Sequence, residues 1–310
     1  MKQATKKIVW LVAFLAVCSI DVFGKPFAVG PYLGQIPPGP IAKVFAPGLI
    51  SDTRPQVWES NGTFSADGNA FCYFRCSVYR LPRVGGIFIT ENTSQGWTKP
   101  KLIRSIREYD PSAWGPCLSP DANSIYFTRG LTQPRSKRNL FGCDRTEDGW
   151  GVPYILAPPL SSASELTCCI AMNNTLYFGS GREGGDTKSL IWYAPFVNNT
   201  WPKAINHTVR GGDPGIAPDE SFIVFTDLNQ PGGYGRRDIN LSLRLPDGTW
   251  SKPRNMGPRI NTAYYEHSPR ISPDKKYLFF TRSTGWDPRG VDSADIYWVE
   301  LKEYLPESYR

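Results

Sequence analysis

Leu118-Ser-Pro-Asp-Ala-Asn-Ser-Ile-Tyr-Phe-Thr128 decides the fold of this 310-residue chain. Pro120 pre-sets φ for a tight turn, and Asp121 can hydrogen-bond nearby backbone. Apolar and aromatic strand formers flank them, so the stretch reads as a β-hairpin. The pattern returns at Phe64-Ser-Ala-Asp-Gly68 before Tyr73-Phe74, and at Ile170-Ala-Met-Asn-Asn174 before Tyr177-Phe178. It returns again at Ile216-Ala-Pro-Asp-Glu220 before Val224-Phe225, and at Ile271-Ser-Pro-Asp-Lys275 before Phe279-Phe280. The turn residues Asp67, Asp121, Asn173, Asp219 and Asp274 lie 54, 52, 46 and 55 positions apart.

A second repeat keeps its own phase. Trp97-Thr-Lys-Pro100, Trp150-Gly-Val-Pro153, Trp201-Pro-Lys-Ala204 and Trp250-Ser-Lys-Pro253 are spaced 53, 51 and 49 apart. Between the two patterns runs a third strand, such as Ser189-Leu-Ile-Trp-Tyr193 or Asp295-Ile-Tyr-Trp-Val299. Four short strands per period of about 50 residues is the signature of a β-propeller blade. A two-sheet sandwich would not make two independent patterns keep one period. The fifth repeat lacks a Trp-x-x-Pro strand, while the N-terminal side carries a surplus, Ile41-Ala-Lys-Val-Phe45. That segment is expected to supply the outer strand of the last blade, closing the ring and removing an open edge. The expectation is an all-β fold, a single propeller of five four-stranded blades, with six as the alternative if 31–55 holds a degenerate one. The expected divisions are a signal peptide at 1–24, an N-terminal extension at 25–40, the propeller at 41–304 and a tail at 305–310.

Composition agrees. The chain holds 29 Gly and 28 Pro, 13% aromatic and 20% charged residues, and two His. Such a mixture excludes a helical bundle, and 40% apolar content excludes disorder. Lys2, Lys6 and Lys7 precede an apolar run from Ile8 to Cys18, with Val22 and Gly24 before a cleavage point. The run is too short to span a bilayer and reads as a signal for export, periplasmic or extracellular, the alternatives being a short N-terminal anchor or a lipoprotein anchored at Cys18. Cleavage would remove three Lys and Asp21, taking the net charge from +7 to +5. No basic run exceeds Arg135, Lys137 and Arg138, so nucleic acid is not an expected partner.

Six cysteines remain: Cys72, Cys76, Cys117, Cys143, Cys168 and Cys169. An even count in an exported chain permits disulfides. Cys72 and Cys76 sit roughly 13 Å apart along an extended strand and cannot bridge each other. Buried free thiols are the other reading. No Cys or His spacing suits a metal, and neither a metal nor a cofactor is expected. Asn-x-Ser/Thr occurs at Asn61, Asn92, Asn173, Asn198, Asn206 and Asn240.

Ser119 to Thr128 and Ser272 to Thr281 resemble the WD-like β-propeller repeat of TolB-type exported proteins, and the resemblance covers nearly all of the mature chain. Repeat three departs from it, with Met172 and Asn173 in place of Pro-Asp. The resemblance implies an exported propeller acting as an interaction module, or as the gating propeller beside a peptidase domain. A peptidase would need Gly-x-Ser-x-Gly, and Gly179-Ser-Gly181 has the wrong spacing. A sialidase Asp-box is absent as well, because Ser65-Ala-Asp-Gly68 lacks the required Trp.

In a propeller the innermost strands line a channel whose mouth is the default ligand site. Eight positions before the turn residues stand Glu59, Ala113, Glu165, Gly211 and Glu266, with Asp213 slightly later and Trp114 and His267 one position on. The candidate mouth is therefore Glu59, Trp114, Glu165, Asp213, Glu266 and His267. Three glutamates in one phase would either gather as an acidic pocket or each cap amides of its own blade. Arg75, Arg129, Arg182 and Arg282 follow the second strands and read as exposed or ion-paired. The Trp-x-x-Pro tryptophans read as packing between blades. The leading expectation is a non-catalytic, monomeric binding or scaffolding propeller for a protein or glycan partner, with no membrane span after signal cleavage. The alternative is a glycoside-active enzyme using paired carboxylates in the channel, about 5–5.5 Å apart if retaining and 6.5–9.5 Å if inverting.

Overall fold

A computed structural model describes residues 26–52, 54, 56–77, 84–129, 138–182, 190–228, 232–284 and 293–310. The expected signal segment at 1–24, with Cys18, lies outside the described residues, as do Arg135, Lys137 and Ser189. After β1 (Lys43–Val44) the chain forms antiparallel units in succession. The first holds β2 (Val57–Phe64), β3 (Ala70–Ser77), β4 (Val84–Thr93), β5 (Gly96–Trp97) and β6 (Lys101–Leu102). The second holds β7 (Trp114–Leu118), β8 (Ser124–Arg129), β9 (Asn139–Thr146), β10 (Gly149–Trp150) and β11 (Tyr154–Ile155). The third holds β12 (Glu165–Ile170), β13 (Leu176–Ser180), β14 (Ile191–Ala194) and β15 (Ile205–Asn206). The fourth holds β16 (Gly212–Ile216), β17 (Phe222–Leu228), β18 (Arg237–Leu243) and β19 (Arg254–Asn255). The last holds β20 (Tyr265–Ile271), β21 (Tyr277–Ser283) and β22 (Ala294–Glu300). Its fourth strand is β1, which pairs with β22 through Lys43↔Trp298 and Val44↔Tyr297.

The repeated turn has a common construction. Asp121 Oδ1 accepts from Ser119 Oγ at 2.6 Å and from Asn123 N at 3.0 Å, while Ser124 N donates back to Ser119 Oγ at 2.8 Å. Asp67 and Asp274 repeat this with Ser65 and Ser272. In the divergent third repeat Asn173 Oδ1 accepts from Thr175 N at 2.9 Å, so the amide oxygen does the carboxylate's work. The residue after each turn residue takes positive φ: Gly68, Ala122, Asn174, Glu220 and Lys275. Local side-chain bonds hold four non-glycine residues in a conformation they would otherwise avoid.

Packing runs between units rather than within them. Successive side chains on a strand point to opposite faces, so Phe71 and Tyr73 pack toward Phe279 and Trp298 of the last unit, while Cys72 packs toward Ile125 and Phe127. Tyr126 faces the third unit beside Leu176 and Phe178. Tyr177 and Ile223 share the next layer, and Val224 and Leu278 the one after. Both faces being buried explains why these strands are continuous apolar runs without alternation. The first strands pack in the cyclic order β2, β7, β12, β16, β20 and back to β2. This is the arrangement of an all-β propeller.

Two features go beyond the sequence reading. A six-residue helix, Arg104–Tyr109, lies between β6 and β7 and buries Ile106. The segment before β1 packs against the first and last units, where Leu33 is buried and Tyr32 donates to Asp274 Oδ1 at 2.7 Å. All six described cysteines are buried free thiols. Of the sequons, Asn61 and Asn240 are buried and closed to modification. Among the described residues no helix is long and apolar enough to cross a membrane.

Candidate binding site at the channel mouth

Eight residues before and eight after the turn residue, a symmetric hairpin brings two positions face to face. Glu59↔Arg75 and Glu266↔Arg282 are accordingly direct cross-strand partners. Arg75 Nε donates to Glu59 Oε1 at 2.7 Å, and its Nη2 donates to Ile50 O at 2.6 Å. Arg282 repeats both contacts, with Glu266 Oε1 at 2.8 Å and Ile260 O at 2.7 Å. Arg182 does so more loosely, with Glu165 Oε1 at 3.1 Å and Leu160 O at 3.5 Å. In the second unit Ala113 holds the glutamate position, and Asp110 takes its role by accepting from Arg129 Nε at 2.7 Å.

Each glutamate also receives main-chain amides from the segment leading into its own unit: Asp52 N on Glu59, Ser162 and Ala163 N on Glu165, and Thr262 N on Glu266. All three have no exposed surface. These carboxylates are therefore clasps, tying the incoming loop, the first strand and the second strand together. Burial raises the pKa of all three, opposed by the arginines and the amide donors. Glu59 is pushed up to about 7. That folded value lies above the unfolded 4.5, so between the two the folded state holds an extra proton and stability falls as pH rises. Glu59→Gln is expected to flatten the fall, which amounts to at most about 3 kcal/mol. Melting both proteins from pH 4.5 to 7.5 checks it, and parallel curves would overturn it.

Two positions further along lies a second repeat-phased ring of residues, nearly all of it buried. Every first strand breaks register at one point: Ser60/Thr63, Trp114/Cys117, Glu165/Cys168, Gly212/Gly215 and His267/Arg270. Such bulges re-aim side chains. Six positions before the turn residues they hold Asn61, Gly115, Thr167, Asp213 and Ser268, and all but Thr167 have positive φ. At Gly115, whose φ is +65°, a Cβ would stand 3.1 Å from Thr167 Cγ2, a tight contact in a backbone conformation that strains any side chain.

Asp213 is the carboxylate of this ring. Its Oδ1 accepts from Thr167 Oγ1 at 3.1 Å and its Oδ2 from Arg237 Nη1 at 2.8 Å. His267 stands close enough to feel both charges, and its Nδ1 lies 3.0 Å from Ser268 Oγ. Burial pulls its pKa down to about 4, with Asp213 raising and Arg237 lowering it, so the ring is neutral near pH 7. Trp114 is half-buried with its indole N–H unpartnered. Asn61 is 1% exposed, and among the described residues neither atom of its amide has a partner.

Of the six expected residues, Asp213 and His267 share one electrostatic environment, while Glu59, Glu165 and Glu266 each sit in their own unit's clasp. Asn61, Thr167 and Arg237 join this buried ring, the last two by bonding Asp213, and escaped the sequence reading. The phase six before the turn, polar or small in every repeat, was the signal for the first two. Among the described residues no group of three or more His, Cys, Asp or Glu is placed to hold a metal ion.

No protein-family model matches the chain, and no curated protein matches it in sequence. Solved structures do. The catalytic domain of Coprinopsis cinerea GH62 α-L-arabinofuranosidase is similar at a TM-score of 0.50 and 10% identity, over 85% of this chain and 97% of that one. TolB from Acinetobacter baumannii gives 0.46 and 13% over 78% of this chain, which spans only 54% of TolB. The β-propeller domain of the Trilobed protease from Pyrococcus furiosus gives 0.38 and 14%, over 73% and 63%. At such identities the likeness shows a shared fold, the β-propeller.

Proposed function

We propose that this protein is an exported, non-catalytic binding propeller of five blades, closed by its N-terminal strand, whose channel mouth receives a protein or glycan partner. The cyclic packing of β2, β7, β12, β16 and β20, and the β1–β22 pairing, support the blade count. Export rests on the leader-like sequence at 1–24.

One observation carries the binding reading. Glu59, Glu165 and Glu266 are buried and matched to their own arginines, which leaves Asp213 as the carboxylate of the channel ring, itself held by Arg237. Glycoside hydrolysis in its usual form needs two carboxyl groups flanking a bond. Among the described residues the candidate mouth would offer instead a neutral imidazole, an indole and one paired carboxylate, a set suited to oriented hydrogen bonding around an apolar wall. The glycoside-active alternative is favoured by the fold shared with an arabinofuranosidase domain.

Glycan and peptide arrays, followed by a panel of glycoside substrates, separate the two. The expected result is saturable binding weakened at least tenfold by Asp213→Asn or Trp114→Phe, about 1.4 kcal/mol, with no turnover. Hydrolysis that vanishes in Asp213→Asn would replace the binding reading with the enzymatic one.

A further inference from the structure

A second cavity lies away from the channel, between the third and fourth units. It measures about 300 Å³, at the small end of the range for ligand pockets. Tyr177, Tyr193, His207 and Trp250 form its walls, and Glu220 and Arg244 supply the charged groups. Tyr177 and Tyr193 stack at 5.6 Å, and the His207 ring stands 4.9 Å from that of Trp250.

The fourth tryptophan of the repeat, which lines the cavity, bonds unlike two of its counterparts. Trp97 and Trp201 each donate the indole N–H to a main-chain carbonyl, Gly30 O at 2.7 Å and Asn174 O at 3.0 Å. Trp250 is half-buried and makes no side-chain hydrogen bond to the described residues. Part of its ring lines the cavity.

Charge narrows the occupant. Glu220 is mostly buried, accepting from Tyr177 Oη at 2.7 Å and Asn173 Nδ2 at 2.9 Å, and Arg244 Nη1 stands 3.6 Å from its Oε2. The carboxylate and guanidinium offset each other. Burial and Arg244 pull the His207 pKa down to about 4, so the imidazole adds no charge near pH 7. A quaternary ammonium would meet the Arg244 charge, and an anion would meet Glu220. A neutral ring meets neither penalty: its polarised C–H face suits the negative face of an indole or phenol. Its hydroxyls find an acceptor in Glu220 and donors in Arg244.

We propose that this lateral cavity is a carbohydrate-binding site that takes one neutral sugar ring, stacked on Trp250 and hydrogen-bonded to Glu220 and Arg244. The site is separate from the channel mouth and does not depend on what binds there.

Calorimetric titration with glucose, galactose, xylose, arabinose and N-acetylglucosamine, read alongside tryptophan fluorescence, tests it. At least one sugar is expected to saturate with a Kd near about 1 mM. Trp250→Ala is expected to weaken it at least tenfold and Glu220→Gln about tenfold, while Asp213→Asn in the channel leaves it unchanged. Glu220→Gln keeps one acceptor oxygen, for Tyr177, and puts an amide where Asn173 donates, while leaving the aromatic walls in place, so it decides the matter if Trp250→Ala does not fold. The proposal is overturned if no sugar saturates by about 100 mM, or if neither lateral variant changes the Kd. It is also overturned if tetramethylammonium saturates the site instead, or if Asp213→Asn abolishes sugar binding.

Discussion

Replacing Arg270 with Met is expected to cost about 3 kcal/mol and to lower Tm by about 5 °C. Arg270 is 4% exposed, on the channel-facing strand β20. Its Nη1 donates to Pro214 O at 3.1 Å and Pro269 O at 2.8 Å, and its Nη2 to Cys168 O at 2.7 Å. One side chain thus ties the third, fourth and last units together through main-chain carbonyls. Two effects oppose each other on substitution. Removing a buried cation relieves a desolvation cost, which can make such replacements neutral. Against that, three carbonyls lose a charged donor at once, each worth roughly 1.5–3 kcal/mol while made. The second effect wins because Met fills similar volume but offers no donor. Arg270→Lys keeps the charge and three donors without the planar fork, and should recover only part of the loss. Denaturant unfolding of the three proteins measures this. A loss under about 1 kcal/mol for Met would mean that the carbonyls find other partners.

Arg270 also marks the boundary of what could be read from sequence. Its phase, four before Asp274, was visible, but its partners lie 56 and 102 positions away and depend on ring closure. The hairpins were legible because Ser119, Asp121 and Ser124 bond within five residues of one another, and local chemistry repeats wherever the sequence does. The closing strand was legible from a surplus at one end and a deficit at the other. The Glu–Arg clasps lay one step short of being read. Glu59 and Arg75 flank Asp67 by eight positions on either side, and hairpin symmetry makes them partners. The channel ring was harder. Asp213 takes its two donors from Thr167, across a unit boundary, and from Arg237, beyond its own hairpin. The bulge at Asn61 is a backbone irregularity that Asn-Gly permits, since both residues tolerate unusual dihedrals, but its place in the sheet is set only by the register with β3.

Arg282→Met should be the most damaging of the clasp substitutions, at about 3–5 kcal/mol, because it leaves a carboxylate without exposed surface and without its cation. Glu266 would keep only Thr262, through its N–H at 3.1 Å and its hydroxyl at 2.6 Å. The Ile260 carbonyl would lose its guanidinium donor as well, loosening the segment that leads into β20. Adding Glu266→Gln removes the stranded charge, so the double variant should regain most of the loss, apart from the share due to Ile260. The two effects are separable by pH. Burial already raises the Glu266 pKa above 4.5, and without Arg282 nothing of opposite charge restrains it. The folded single variant therefore holds a proton that the unfolded chain releases near pH 4.5, and its stability falls as pH rises from there. Against wild type the deficit should be small near pH 5 and widen toward pH 8, while the double variant keeps a constant offset. Thermal melts across that range decide it. A deficit independent of pH, or a double variant no more stable than the single, would place the clasp's contribution in the Ile260 carbonyl and not in the ion pair.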